Sequence, residues 1–106
     1  MRVPTNLLRE TLTIEDFLGN GARGTLHGAA RTTRSSVQPT SKLVTDSRGQ
    51  QVVVEILAII RPEAGPVLAE SIITWAGTRY RVVSAYAMPD TRRPSHWELA
   101  LARYAG

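Results

Sequence analysis

The side chains that could do chemistry in this chain are few and widely separated. Its two histidines, His27 and His96, lie in segments that offer no second or third ligand at metal spacing, whereas a zinc site needs three or four donors converging on one point. Glu15 and Asp16 are adjacent acids and read as a solvated strand end rather than a general acid and base. Ser71 and Ser84 have no neighbouring base, and neither a GxSxG elbow nor a phosphate-binding P-loop occurs. With no cysteine the chain has no disulfide, no thiolate nucleophile and no Cys-based metal site. Gly19-Asn20-Gly21-Ala22-Arg23-Gly24 matches GxGxxG in form, but a dinucleotide site needs that turn to open a helix whose free N–H groups meet the pyrophosphate. The next residues, TLHGAARTTRSS, have no apolar period and lead on to Pro39, so the stretch reads as a glycine-rich loop. No enzyme is expected, and no catalytic, cofactor-binding or metal-binding residue is assigned.

Charge says more. The formal net charge is +4, the sequence pI is about 10.3, and twelve of the thirteen cations are Arg, which suits bidentate contact with phosphate or carboxylate. The excess is uneven: +4 over residues 22–48 and +3 over 79–106, against −1 over 1–21 and −2 over 49–78. A contact with nucleic acid or an acidic protein surface fits this distribution, as does a plain solvated basic face. Arg31, Arg34, Arg48, Arg92 and Arg93 fall in segments read as loops. Trp75, Tyr80, Tyr86 and Trp97 are spaced like core residues rather than stacking platforms.

The elements that must position these groups are strands. A chain of 106 residues supports one domain, 1–106, around one modest core. The longest near-continuous apolar run, Val52 to Ile60, is interrupted by Glu55, so no membrane span is indicated. The first residues contain no apolar stretch of signal-peptide length, and a reducing intracellular origin is expected. Leu8 to Leu18 alternates with the period of a half-buried strand. Thr25 to Ser41 is polar and basic, and Ala30 to Gln38 within it suits either a strand or a long mobile loop. Lys42 to Val54 reads as a hairpin turning at Asp46-Ser47-Arg48-Gly49, with Gly49 in the left-handed region. The strand from Gln51 to Arg61 is apolar on both faces, as befits the middle of a barrel or a subunit contact. Pro62 ends it, and Pro62 to Glu70 is a connection with room for one helical turn.

Ser71 to Trp75 and Arg79 to Tyr86 form a further hairpin around Ala76-Gly77-Thr78. On its second strand Tyr80, Val82 and Tyr86 are expected on one face and Arg79, Arg81 and Val83 on the other. Met88 to Ser95 reads as a loop with Arg92-Arg93 at its tip. The last segment supports two readings. Ser95-x-x-Glu98 is a capping box, with Trp97, Leu101 and Tyr104 at helical spacing. A strand would place Trp97, Leu99 and Leu101 inward and His96, Glu98 and Ala100 outward.

The order of these features resembles a known family. SIITWAGTRYRVVSAYAMPDTRRPSHWELAL runs through an Ile-Thr strand, a Gly turn, a Tyr-x-Val-Val strand, a charged loop and a His-x-Glu-Leu-x-Leu strand. It looks like the head-closure (head-to-tail stopper) proteins of long-tailed bacteriophages, and LVTDSRGQQVVVEILAIIRP resembles their central hairpin. The likeness covers roughly residues 42–104 and consists of apolar spacing and turn placement. It implies a mainly β fold, a small antiparallel β-barrel with long loops, in which the final segment is a strand; on that basis a strand is expected there. It also implies a structural virion protein, made in the host cytoplasm, that forms a homo-oligomeric ring at the head–tail interface. Its partners would be the portal or adaptor ring, the tail terminator or tail tube protein, its own copies and the packaged double-stranded DNA in the lumen, without a membrane or a cofactor. Arg31, Arg34 and Arg48 are then candidates for loops near DNA, and Arg92, Arg93 and Trp97 for contacts to neighbouring rings. A ring would repeat each loop charge around a lumen, where it acts on phosphates without reading sequence. The alternatives are another neck or tail-completion component, such as an adaptor or tail terminator, and a stand-alone basic nucleic-acid-binding barrel.

Overall fold

The computed structural model describes residues 9–22, 24–46, 48–89 and 94–104. Eight strands run in order along the chain: β1 (Glu10–Glu15), β2 (Phe17–Gly21), β3 (Gly24–His27), β4 (Arg31–Thr45), β5 (Gln51–Ile60), β6 (Ile72–Trp75), β7 (Thr78–Pro89) and β8 (Pro94–Arg103). One 3-10 turn, Pro62–Ala64, lies between β5 and β6. Six strands close an antiparallel barrel in the order β1-β4-β5-β8-β7-β6, while β2 and β3 form a separate two-stranded sheet. Closure gives every barrel strand two neighbours along part of its length, which removes the exposed edges an open sheet of these strands would present.

The core is the barrel interior. Leu12 and Ile14 of β1, Ile56, Ala58 and Ile60 of β5, Ile73 of β6, Tyr80 and Val82 of β7, and Leu99 and Leu101 of β8 are buried there, joined by Val67 from the connection after β5. Each fully buried aliphatic side chain contributes roughly 1.5–3 kcal/mol, so β5 and β8 carry much of the apolar stabilisation. One face of β5, Val54, Ile56, Ala58 and Ile60, is buried, while on the other Leu57 packs against a second apolar cluster and Val53 is exposed; over Ile56–Ile60 the strand sits between β4 and β8.

Several expectations change. The alternating segment at the amino terminus is two strands, because the chain leaves the barrel after Glu15 and re-enters pairing as β2. The glycine-rich stretch is the β2–β3 hairpin rather than a loop, with Gly21 paired to Gly24. The polar segment after it is a strand, and β4 runs unbroken to Thr45 apart from a bulge between Pro39 and Lys42. Thr32 is exposed on it, while Ser35 is buried and its hydroxyl donates to the Ile59 carbonyl at 2.9 Å. Met88 to Ser95 is not a loop throughout, since β7 and β8 continue to a Pro89–Pro94 pair. Tyr86 does not share the face of Tyr80 and Val82. A bulge between Val82 and Ser84 reverses the alternation, so Ala85 faces the core and Tyr86 is exposed, while Val83 is buried on the outer side.

The remaining turns obey their chemistry. Ala76 and Gly77 both take positive φ, +51° and +80°, as a two-residue hairpin turn between Trp75 and Thr78 requires. Gly49, at φ +81°, closes the β4–β5 turn, where its N–H donates to the Asp46 carbonyl at 3.1 Å. The final segment is a strand in which Leu99 and Leu101 are buried, and the ladders to β5 and β7 override the local capping box.

Candidate interaction surface

The chemistry of the molecule gathers on the outer wall of β6, β7 and β8. Ile72, Arg81 and Ala102 are register partners across these strands. They alternate with the core residues Ile73, Val82 and Leu101, so this row faces outward. The β4–β5 hairpin lies against the same wall. Beyond its pairing with β8, which covers only Ile56–Ile60 of β5, the hairpin continues as an arm, residues 42–55. Val44, Val52 and Val54 of the arm pack with Val83 and Ala102 in a second apolar cluster.

Ion pairs seat the tip of this arm. The Asp46 side chain is buried to 1% exposure, and its Oδ1 accepts the backbone N–H groups of Arg48 and Gln50, each at 2.9 Å. Arg81 Nη1 donates to Asp46 Oδ2 at 3.3 Å and to Glu70 Oε1 at 2.8 Å, and Arg48 Nη2 reaches Glu70 Oε2 at 3.4 Å. The Asp46 carboxyl is held below the usual carboxylate range. The Gln50 N–H is the chief cause, burial opposes it, and the Arg48 N–H and the Arg81 guanidinium add to the lowering. Glu70 takes a left-handed backbone, φ +74°, an uncommon state for a residue with a Cβ. Its main chain is tied on both sides: its N–H donates to the Val82 carbonyl at 2.9 Å, and its carbonyl accepts from His27 Nε2 at 2.9 Å. Glu70 therefore joins the β2–β3 hairpin, the arm and β7.

The arginines singled out from sequence have separate fates. Arg31 makes a bidentate pair with Asp16, Nε to Oδ2 at 2.8 Å and Nη2 to Oδ1 at 3.1 Å, and its Nη1 donates to the Ala64 carbonyl at 2.6 Å. Its pKa is raised further by the hydrogen bond to Asp16. The side chain thus ties the start of β4 to the 3-10 turn. Arg34 is exposed on β4, opposite Thr11 of β1. Arg48 belongs to the arm network. Arg92 and Arg93 lie outside the described residues. Trp97 is half-buried on β8, paired with Ile60 and Ala87, and its indole packs against Gly65, where a Cβ would collide with the ring. The sequence candidates that are described do not converge on one site.

Asp46 was legible in the sequence only as a turn residue, and nothing there marked Arg81 or Glu70, which come from other elements. A cleft of about 520 Å³ opens beside the network. Its floor is Ile72, Arg81 and Ala102, one wall is Val52, Val53 and Glu55 of the arm, and Thr25 and His27 of β3 stand near Arg48 and Glu70. Among the described residues no group of three or more His, Asp or Glu side chains is placed to hold a metal ion.

Fold and surface together define a closed six-stranded antiparallel barrel with a hairpin arm folded on its outer wall. No protein-family model matches the chain, and no curated protein does. Among solved structures it is similar to the phage-like element PBSX protein xkdH from Bacillus subtilis, with 16% identity, a TM-score of 0.48, and coverage of 89% of this chain and 92% of that one.

Proposed function

We propose that this is a structural phage protein of the virion neck, assembling as a ring between the portal or adaptor and the tail and closing the channel on packaged DNA. The observation that carries the reading is an exposed apolar pair on the arm. Leu43 and Val53 are direct cross-strand partners, 61% and 53% exposed. A barrel whose ladders are closed has no edge to offer neighbours along its closed part, so contacts between copies must use side-chain surfaces, and a contiguous apolar pair on an arm suits that use. Tyr86 on β7 and Leu18 and Leu26 on the small sheet are further exposed apolar side chains. The reading also rests on the head-closure resemblance of the sequence over residues 42–104.

Within this reading Arg34, exposed on β4, and Arg48, exposed at the tip of the arm, are the DNA-facing candidates on the described surface. Particles assembled without the protein should package DNA and then leak it or fail to bind tails. DNA-filled, tail-competent particles from a deletion phage would sink the proposal.

A further inference from the structure

We propose that the cleft beside the arm receives an extended acidic peptide strand of a partner protein, which pairs with the free edge of β5. The first observation is a backbone edge without a ladder. Residues 52–54 pair with β4 on one side, but the β5–β8 ladder stops at Ile56 and Leu101, so the opposite edge of residues 52–55 has no ladder partner among the described residues. Val52, Val53 and Glu55 line the cleft. Four residues of strand span about 13 Å, enough for a short segment to add by main-chain hydrogen bonds.

The second observation is the floor. Ile72 and Ala102, with the stem of Arg81, form a wall on which alternate side chains of an added strand would rest. The third is the charge at the rim, which names the occupant. The two most exposed charged side chains lining the cleft are Arg48 and Arg103, 61% and 62% exposed, whereas their partners Glu70 and Glu55 are more covered, at 12% and 39%. Exposed pairs of this kind are weak and exchange readily, so an incoming carboxylate can take either guanidinium. A peptide is favoured over a nucleic-acid strand by the apolar floor and by the backbone edge without a ladder, which main-chain amides can pair and a sugar–phosphate chain cannot. The inference is independent of any role in a virion.

The test uses the whole chain and two synthetic hexapeptides of alternating Val and charged residues, one with Asp and Glu and one with Lys at the charged positions, together with a six-nucleotide oligothymidylate. In amide chemical-shift titrations the acidic peptide should move the resonances of residues 52–55 and 102–104 and bind about tenfold more tightly than the Lys peptide. Arg48→Glu with Arg103→Glu should reverse that preference, and Arg48→Gln with Arg103→Gln should abolish it if the reversed pair perturbs folding. Shifts elsewhere, equal affinity for the two peptides, stronger binding of the oligothymidylate at the same amides, or no binding at millimolar peptide would each overturn the proposal.

Discussion

Arg81 donates to Asp46 across 3.3 Å, joining residues 35 apart in sequence, and this contact pins the tip of the β4–β5 arm to the outer wall of the barrel. The same guanidinium nitrogen reaches Glu70 at 2.8 Å, so one cation serves two well-covered carboxylates. Apolar packing of Val44, Val52 and Val54 supplies the contact area, while the ion network sets where the tip sits.

Replacing Arg81 by Met should therefore cost more than an ordinary surface change. The substitution leaves Asp46 and Glu70 facing each other without their shared cation, a loss of about 2–3 kcal/mol. Urea unfolding measures it, and a shift below about 0.5 kcal/mol would mean that the arm is seated by its valines alone.

Asp46 also makes stability depend on pH. Its folded pKa lies below the unfolded value of about 3.9, so its contribution is fully present above that pH and is lost as pH falls through the folded value. The urea midpoint should stay level near neutrality and drop below about pH 4, and Asp46→Asn should lower the plateau while flattening its share of the acid limb. An unchanged acid limb in the variant would remove Asp46 from this role.

Gly65 permits a close approach of the Trp97 indole that no other residue allows. Gly65→Ala should displace the ring and destabilise the protein by about 1–3 kcal/mol. Trp97 fluorescence, read in a Trp75→Phe background, should shift in step with stability. An unmoved emission spectrum would place the ring elsewhere.

Leucines on the two sides of the wall should behave oppositely. Leu101→Ala opens a cavity in the barrel interior and should cost about 2–5 kcal/mol. Leu43→Asp, on the exposed face of the arm, should change stability by no more than about 0.5 kcal/mol yet reduce incorporation of the protein into particles. Normal incorporation would show that the Leu43–Val53 pair is not an assembly contact.

Strand identity was readable along most of the chain because alternation, β-branched composition and turn residues are local properties. Val52 to Ile60 and the hairpin at Ala76-Gly77 could be placed from their own residues. What could not be placed locally were the exceptions to alternation. The bulge at Val83 turns Tyr86 outward and no residue type announces it, whereas the one that interrupts the β4–β5 register follows Pro39, which has no N–H for the ladder. The last segment carries a real helix signal, and only its pairing with both β5 and β7 makes a strand of it.

The candidate surface was the least legible part. Arg31 looked like a loop cation, but it lies on β4 and Asp16, 15 residues away, holds it in a bidentate pair, whereas Arg48 meets Glu70, 22 residues away, at 3.4 Å and stays 61% exposed. Composition determined a basic, Arg-rich β protein with a strongly apolar central strand. Tertiary structure alone decided which charges are engaged inside the chain, because a salt bridge depends on distance between strands and not on spacing along them. The folding of the arm onto the wall brought Asp46, Arg81 and Glu70 within reach of one another and left the edge of residues 52–55 beside an open cleft.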